Sequence, residues 1–210
     1  MYFYDRKEAG ELLAEILQQK YKPKTVVVYG IPRGGIITAH EIAKKLQVPL
    51  RIAISKKIGY PFNPEYAIAA LSEHGHVMSD TDELQRVNKE WLVSEITILQ
   101  QEMNQRRQRY AVHEEKDLKG KIAIIVDDGI ATGFTMKAAI ADLQDLHPYK
   151  IVVATPVIPA SVQRDLKKEV NEVVALEITD EFLGGVSAYY QQFPQVNDSE
   201  VTSVLKNIIV

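Results

Sequence analysis

The sequence predicts a single α/β domain in which a mostly parallel sheet carries helices on both faces, and three observations carry that expectation. Short apolar runs at Thr25–Tyr29, Ile122–Val126 and Ile151–Val157 lack the alternation of half-exposed strands, as expected for strands covered on both sides. Segments of helical periodicity separate these runs, the arrangement that builds parallel sheets. The 210 residues are 46% hydrophobic and 25% charged, a balance that supports a substantial core.

Taken in order, residues 5–20 place Ala9, Leu12, Leu13, Ile16 and Leu17 at helical spacing behind Asp5 as the N-cap. The strand Thr25–Tyr29 ends at Gly30, and Pro32 opens a helix running to about Leu46. A strand is expected over Leu50–Ser55, then a loop over 56–63 because Gly59, Pro61 and Pro64 interrupt it. Tyr66–Met78 alternates around His74-Gly75 and reads as a hairpin. One long amphipathic helix is expected from Asp82 to about Glu115, with Leu84, Val87, Trp91, Ile96, Leu99 and Met103 on its buried stripe. Its basic end, Arg106-Arg107-Gln108-Arg109, reads first as a solvated face. After the strand Ile122–Val126 come a helix over Thr135–Leu146, the strand Ile151–Val157, a helix over 160–169, a strand over Glu172–Glu177 and a terminal helix from about Asp198.

Several function classes are excluded early. The net charge of −3 gives no global case for nucleic-acid binding. No run approaches the ~18 apolar residues of a membrane span. The opening MYFYDRKEAGELLAEIL places charges where an export signal needs an apolar core, so a cytoplasmic location is expected. With no cysteine, disulfides, thiolate zinc sites and cysteine nucleophiles are ruled out. His74 and His76 have a spacing that suits a metal, but no third ligand accompanies them.

In open α/β sheets ligands bind beyond the carboxyl ends of the strands, so the turns after the strands are the places to look for chemistry. The turn after Ile122–Val126 reads Asp127-Asp128-Gly129-Ile130-Ala131-Thr132-Gly133-Phe134-Thr135. Two carboxylates there precede a helix start at which Gly133 admits close backbone approach and Thr132 and Thr135 supply hydroxyls. That combination suits a phosphate beside acids able to grip sugar hydroxyls or a metal. Turn and cap residues alone are the alternative reading. The turn after the first strand, Gly30-Ile31-Pro32-Arg33-Gly34-Gly35, pairs backbone access with a forked cation suited to pyrophosphate.

IIVDDGIATGFT resembles the signature of the type I phosphoribosyltransferases, and DRKEAGELLAE, VVVYGIPRGGIITAHEIAKKL, NPEYAIAALSE and AYYQQF extend the resemblance over nearly the whole chain, to an uncharacterised bacterial branch. The resemblance implies a Rossmann-like fold and transfer of the 5-phosphoribosyl group from phosphoribosyl pyrophosphate to a nitrogen nucleophile, assisted by Mg2+. It implies that Ala131, Thr132, Gly133, Phe134 and Thr135 bind the 5-phosphate, with the Phe134 ring turned away. It assigns the ribose hydroxyls, directly or through Mg2+, to Asp127 and Asp128, and pyrophosphate to Arg33, Gly34 and Gly35. A cis peptide entering Arg33 is expected on the same ground. Lys56 and Lys57 would contact pyrophosphate from a lid. The expected organisation is one domain over 1–210, with a lid loop, hairpin and long helix inserted over 56–118 and a base-side segment over 178–210. Phe182 would stack on the base. Family members commonly dimerise, so a homodimer is a possible assembly.

Departures from the 6-oxopurine enzymes stand at the base end. Ala131 takes the place of an aspartate, Pro159 lies near the place of a lysine, and Tyr189 replaces an acid. These count against hypoxanthine or guanine as acceptor, and no adenine or orotate signature replaces them. Two other functions stay open: a non-catalytic phosphoribosyl- or nucleotide-sensing regulator on the same fold, and a hydrolase of phosphorylated sugars or nucleotides.

Overall fold

A computed structural model describes residues 2–21, 25–79, 82–111 and 115–206. Five parallel strands form the central sheet in the order β2-β1-β6-β7-β8: β1 (Val26–Gly30), β2 (Leu50–Ile52), β6 (Ile122–Val126), β7 (Lys150–Pro159) and β8 (Glu172–Thr179). β1 and β6 are buried along nearly their whole length, which explains their unbroken apolar runs. Their register pairs Gly30 with Val126, so the two turns that carry the candidate chemistry leave the sheet side by side.

Helices cover both faces. On one, α1 (Arg6–Lys20) and α2 (Gly34–Leu46) bury Leu13, Leu17, Ile42 and Leu46 against Val28, Ile124 and Val152. Asp5 caps α1, its side chain accepting from the Glu8 amide at 2.9 Å. On the other, α5 (Phe134–Gln144) and α6 (Ala160–Leu166) bury Met136, Ile140 and Leu166 against Ile125 and Val153. α7 (Asp198–Lys206) closes the described chain. No described helix is long and apolar enough to cross a membrane.

The segment expected as a loop over 56–63 is instead strand. β3 (Ser55–Tyr60) and β4 (Asn63–Ser72) form a hairpin, and β5 (Val77–Met78) completes a three-stranded antiparallel sheet. Gly59 signals a bulge rather than a loop. The register shifts on both sides of it, and a Cβ there would lie 2.3 Å from the Pro64 carbonyl oxygen. The turn around His74-Gly75 lies where the sequence placed it, with Gly75 at φ +99°.

The single long helix is also corrected. A short α3 (Glu83–Arg86) stops at Val87, and α4 (Lys89–Tyr110) starts anew because the Asn88 side chain accepts from the Trp91 amide at 2.9 Å. The predicted stripe still faces inward: Val87, Leu99 and Met103 are buried against Ile58, Ile68 and Leu71, with Trp91 partly so. The expected continuation through His113 lies outside the described residues. Arg106 and Arg109 both pair with Asp198, and Arg107 pairs with Glu73. The basic end therefore ties α4 to α7 and to the β4–β5 turn.

Candidate functional site

The turns after β1 and β6 interlock through glycines. A Cβ on Gly34 would lie 1.9 Å from Asp128 Oδ2, and one on Gly35 would lie 2.8 Å from Asp127 Oδ1. The carboxylates occupy the space that side chains would need, so the start of α2 packs directly on the end of β6. The positive end of that helix favours negative charge there. The peptide between Pro32 and Arg33 is cis. Gly34 and Arg33 line an open cleft of about 320 Å³ together with Arg6, Phe193, Gln195 and Val196.

Within the pair, Asp127 Oδ1 accepts the Asp128 amide at 2.9 Å. Burial pushes the Asp127 carboxyl well above the usual carboxylate range, and the neighbouring Asp128 pushes it further. Asp128 is held from both ends of the chain. Arg6 Nε donates to its Oδ2 at 2.5 Å, and the Tyr190 hydroxyl donates to its carbonyl at 2.5 Å. Burial, then the Asp128 charge, raise the Tyr190 phenol far above its ordinary value, so it remains a donor at any physiological pH. Sequence reasoning missed Arg6 and Tyr190. They lie 122 and 62 positions from Asp128, and neither carries a local signal beyond its place in a helix or an aromatic run.

Beyond the carboxylates the turn leaves Ala131 and Thr132 exposed, then Gly133 at φ +81° caps α5. Phe134 is buried against Ala70 and Ala138, which pins the helix start to the antiparallel sheet. The first amides of α5 have no acceptor within the helix and form the candidate anion site. Crystals soaked with sulfate should show an anion at the amides of Ala131–Thr135. Density only near Lys56 or Arg109 would argue against that site.

Lys56 and Lys57 lie on β3. The hairpin's first residue, Ser55, donates through its hydroxyl to the Thr135 carbonyl at 2.9 Å, which brings this strand to the anion site. Both lysines are matched by acids: Lys56 pairs with Glu102 on α4, and Lys57 with Glu65 across the hairpin at 2.9 Å. Phe182 follows β8, half-buried with its ring 5.3 Å from that of Tyr189. The hydroxyl of Tyr189 also accepts from the Leu183 amide at 3.0 Å, so the residue standing in place of an acid shapes the Phe182 segment. Gly129 lets this segment close over the turn, since a Cβ there would lie 2.3 Å from Val186 Cγ1.

Asp127 and Asp128 are hard oxygen donors of the kind magnesium takes. No group of three or more His, Asp or Glu side chains among the described residues is placed to hold a metal. Two carboxylates are the number of protein ligands that a magnesium ion commonly takes beside water and substrate phosphates. His74 and His76 are bound instead to Asp142 at 2.9 Å and Asp145 at 2.8 Å, clasping the hairpin to the end of α5.

The phosphoribosyl transferase domain profile matches residues 4–191. "Putative phosphoribosyl transferase Rv0571c" of Mycobacterium tuberculosis H37Rv is 37% identical over 206 residues, 97% of this chain and 46% of the relative. The chain thus spans about half the length of the curated relatives it matches. The crystal structure of TT1426 from Thermus thermophilus superposes with a TM-score of 0.80 at 34% identity, covering 99% of each chain.

Proposed function

This chain belongs to the phosphoribosyl transferase family, and on that premise we propose that it moves the 5-phosphoribosyl group from phosphoribosyl pyrophosphate to a nitrogenous base or related nucleophile. The observation that carries the reading is the interlock of the Gly34-Gly35 turn with the Asp127–Asp128 carboxylates, one turn away from the free amides at the start of α5. A sugar bearing a phosphate at one end and a diphosphate at the other would span these three features.

In this reading the amides and hydroxyls of Ala131–Thr135 hold the 5-phosphate. Arg33 and the Gly34 and Gly35 amides hold the diphosphate. Asp127 and Asp128 hold the pentose hydroxyls. As the bond from the anomeric carbon to the diphosphate oxygen breaks, its electron pair leaves with pyrophosphate and positive charge develops on the sugar. The carboxylates stabilise that charge more than they stabilise the ground state, which lowers the barrier. The acceptor nitrogen then bonds to the anomeric carbon, and its proton passes to solvent. Asp127 and Asp128 would hold magnesium, which would supply neutralisation of the diphosphate charge. Phe182 offers a ring for the acceptor, and the β3–β4 hairpin limits access of water. A cytoplasmic location and a homodimer are part of the same proposal.

Purified protein with phosphoribosyl pyrophosphate, magnesium and a panel of bases should release pyrophosphate only when the right acceptor is present. Release without an acceptor would indicate a hydrolase. Tight binding with no release for any acceptor would favour a sensing regulator, a reading to which the pairing of Lys56 and Lys57 with acids lends support.

A further inference from the structure

We propose that Arg6, the first residue of α1, is a positioning residue for Asp128 that aims its carboxylate at the pentose hydroxyls. The inference rests on the phosphoribosyl reading of the site and adds to it a group from outside both signature turns.

Arg6 is 8% exposed, although it is charged and stands at a helix start. Its fork is divided. Nε donates to Asp128 Oδ2, while Nη1 donates to the Pro194 carbonyl at 2.8 Å. An arginine that served only to neutralise a carboxylate would present two parallel N–H groups to both oxygens. Here a single N–H reaches the carboxylate, which fixes the direction of the group without the fork occupying both oxygens. The guanidinium is itself immobilised, its carbon 3.6 Å from the centroid of the Phe193 ring. The Phe193 ring lies tilted at 4.8 Å from that of Tyr190, whose hydroxyl holds the Asp128 carbonyl. Side chain and backbone of Asp128 are thereby fixed by one continuous cluster. The same arginine lines the cleft shared with Arg33, so the cluster borders the ligand space rather than lying behind it. Desolvating such a pair is costly, and apolar residues of similar volume would often be as stable, so stability alone is a weak reason for it.

The test compares affinities for ribose 5-phosphate and for methyl phosphate, which offers the same phosphate group without pentose hydroxyls, by calorimetry in magnesium buffer. The wild type should favour ribose 5-phosphate. Arg6→Gln should reduce that preference about tenfold, the weight of one charge-assisted hydrogen bond, while methyl phosphate binds as before. Arg6→Lys, which keeps a cation and one donor, should recover part of the preference and guards against a glutamine variant that fails to fold. In an Asp128→Asn background, Arg6→Lys should have no further effect on the preference. Equal loss for both ligands in a folded variant, or an unchanged preference, would overturn the role of Arg6 and leave the phosphoribosyl reading intact. A wild type that binds neither ligand, or binds both alike, would overturn the reading and the inference together.

Discussion

Replacing Asp127 and Asp128 together by asparagine is expected to lower turnover by at least about 10³-fold, since removal of even one group that stabilises transition-state charge costs ~10²–10³. Pyrophosphate release at the wild-type rate in the folded double variant would overturn the mechanism. The two single variants should move stability in opposite directions. An unfolded Asp127 titrates near ~3.9, whereas burial and Asp128 raise the folded group well above that. Between those two points the folded state binds more proton, so stability falls as pH rises, and above the folded value the full cost is present. Asp127→Asn removes that cost and keeps an oxygen to accept the Asp128 amide. Its melting temperature at neutral pH should rise, by ~2–4 °C per kcal/mol relieved in a chain of this size. Asp128→Asn instead leaves Arg6 without its charge partner, the two side chains being 9% and 14% exposed. It should cost about 2 kcal/mol, less than the ~3–5 of a fully buried pair, because some exposure remains and asparagine can still accept from Nε. The functional reading of the turn gives neither acid a structural duty. That expectation suits Asp127 better than Asp128.

The difference between those two aspartates marks what was legible in the chain. Strand ends were legible because burial on both faces leaves an unbroken apolar run that stops at a glycine or an acid, as at Gly30 and Asp127. The two turns followed directly, since each follows the carboxyl end of such a run. The β3–β4 hairpin was not legible. Gly59 and Pro64 carry the composition of a loop, and only the register shift shows that they accommodate a bulge. The break at Asn88 was hidden for a related reason: the stripe of apolar residues continues across it, so periodicity reports one helix where capping makes two. Arg6, Tyr190 and Phe193 lay beyond reach altogether. Their partners come from the opposite end of the chain or from the other turn, and no local pattern records such a contact.

Gly34→Ala is the smallest change expected to disable the site. The added carbon would stand 1.9 Å from Asp128 Oδ2, 2.7 Å from its Cγ and 2.8 Å from Arg6 Nε. The obstacle is space rather than backbone conformation, because Gly34 is not among the glycines with positive φ. A flexible carboxylate would ordinarily swing aside. This one is tied to Arg6, which is tied to Pro194 and covered by Phe193, so relief requires breaking the ion pair or moving the start of α2 off β6. Either way the carboxylate leaves its place beside the turn. Turnover should fall by about two orders of magnitude, and stability by about 2–3 kcal/mol, as for overpacking at a tight contact. Combining Gly34→Ala with Asp128→Ala separates the two effects. Shortening Asp128 removes the nearest atoms that the new methyl would meet, so Gly34→Ala should cost less stability in an Asp128→Ala background than in the wild type, while turnover stays low because the carboxylate is gone. A Gly34→Ala protein with wild-type stability and turnover would show that the interlock of the two turns is looser than these distances require.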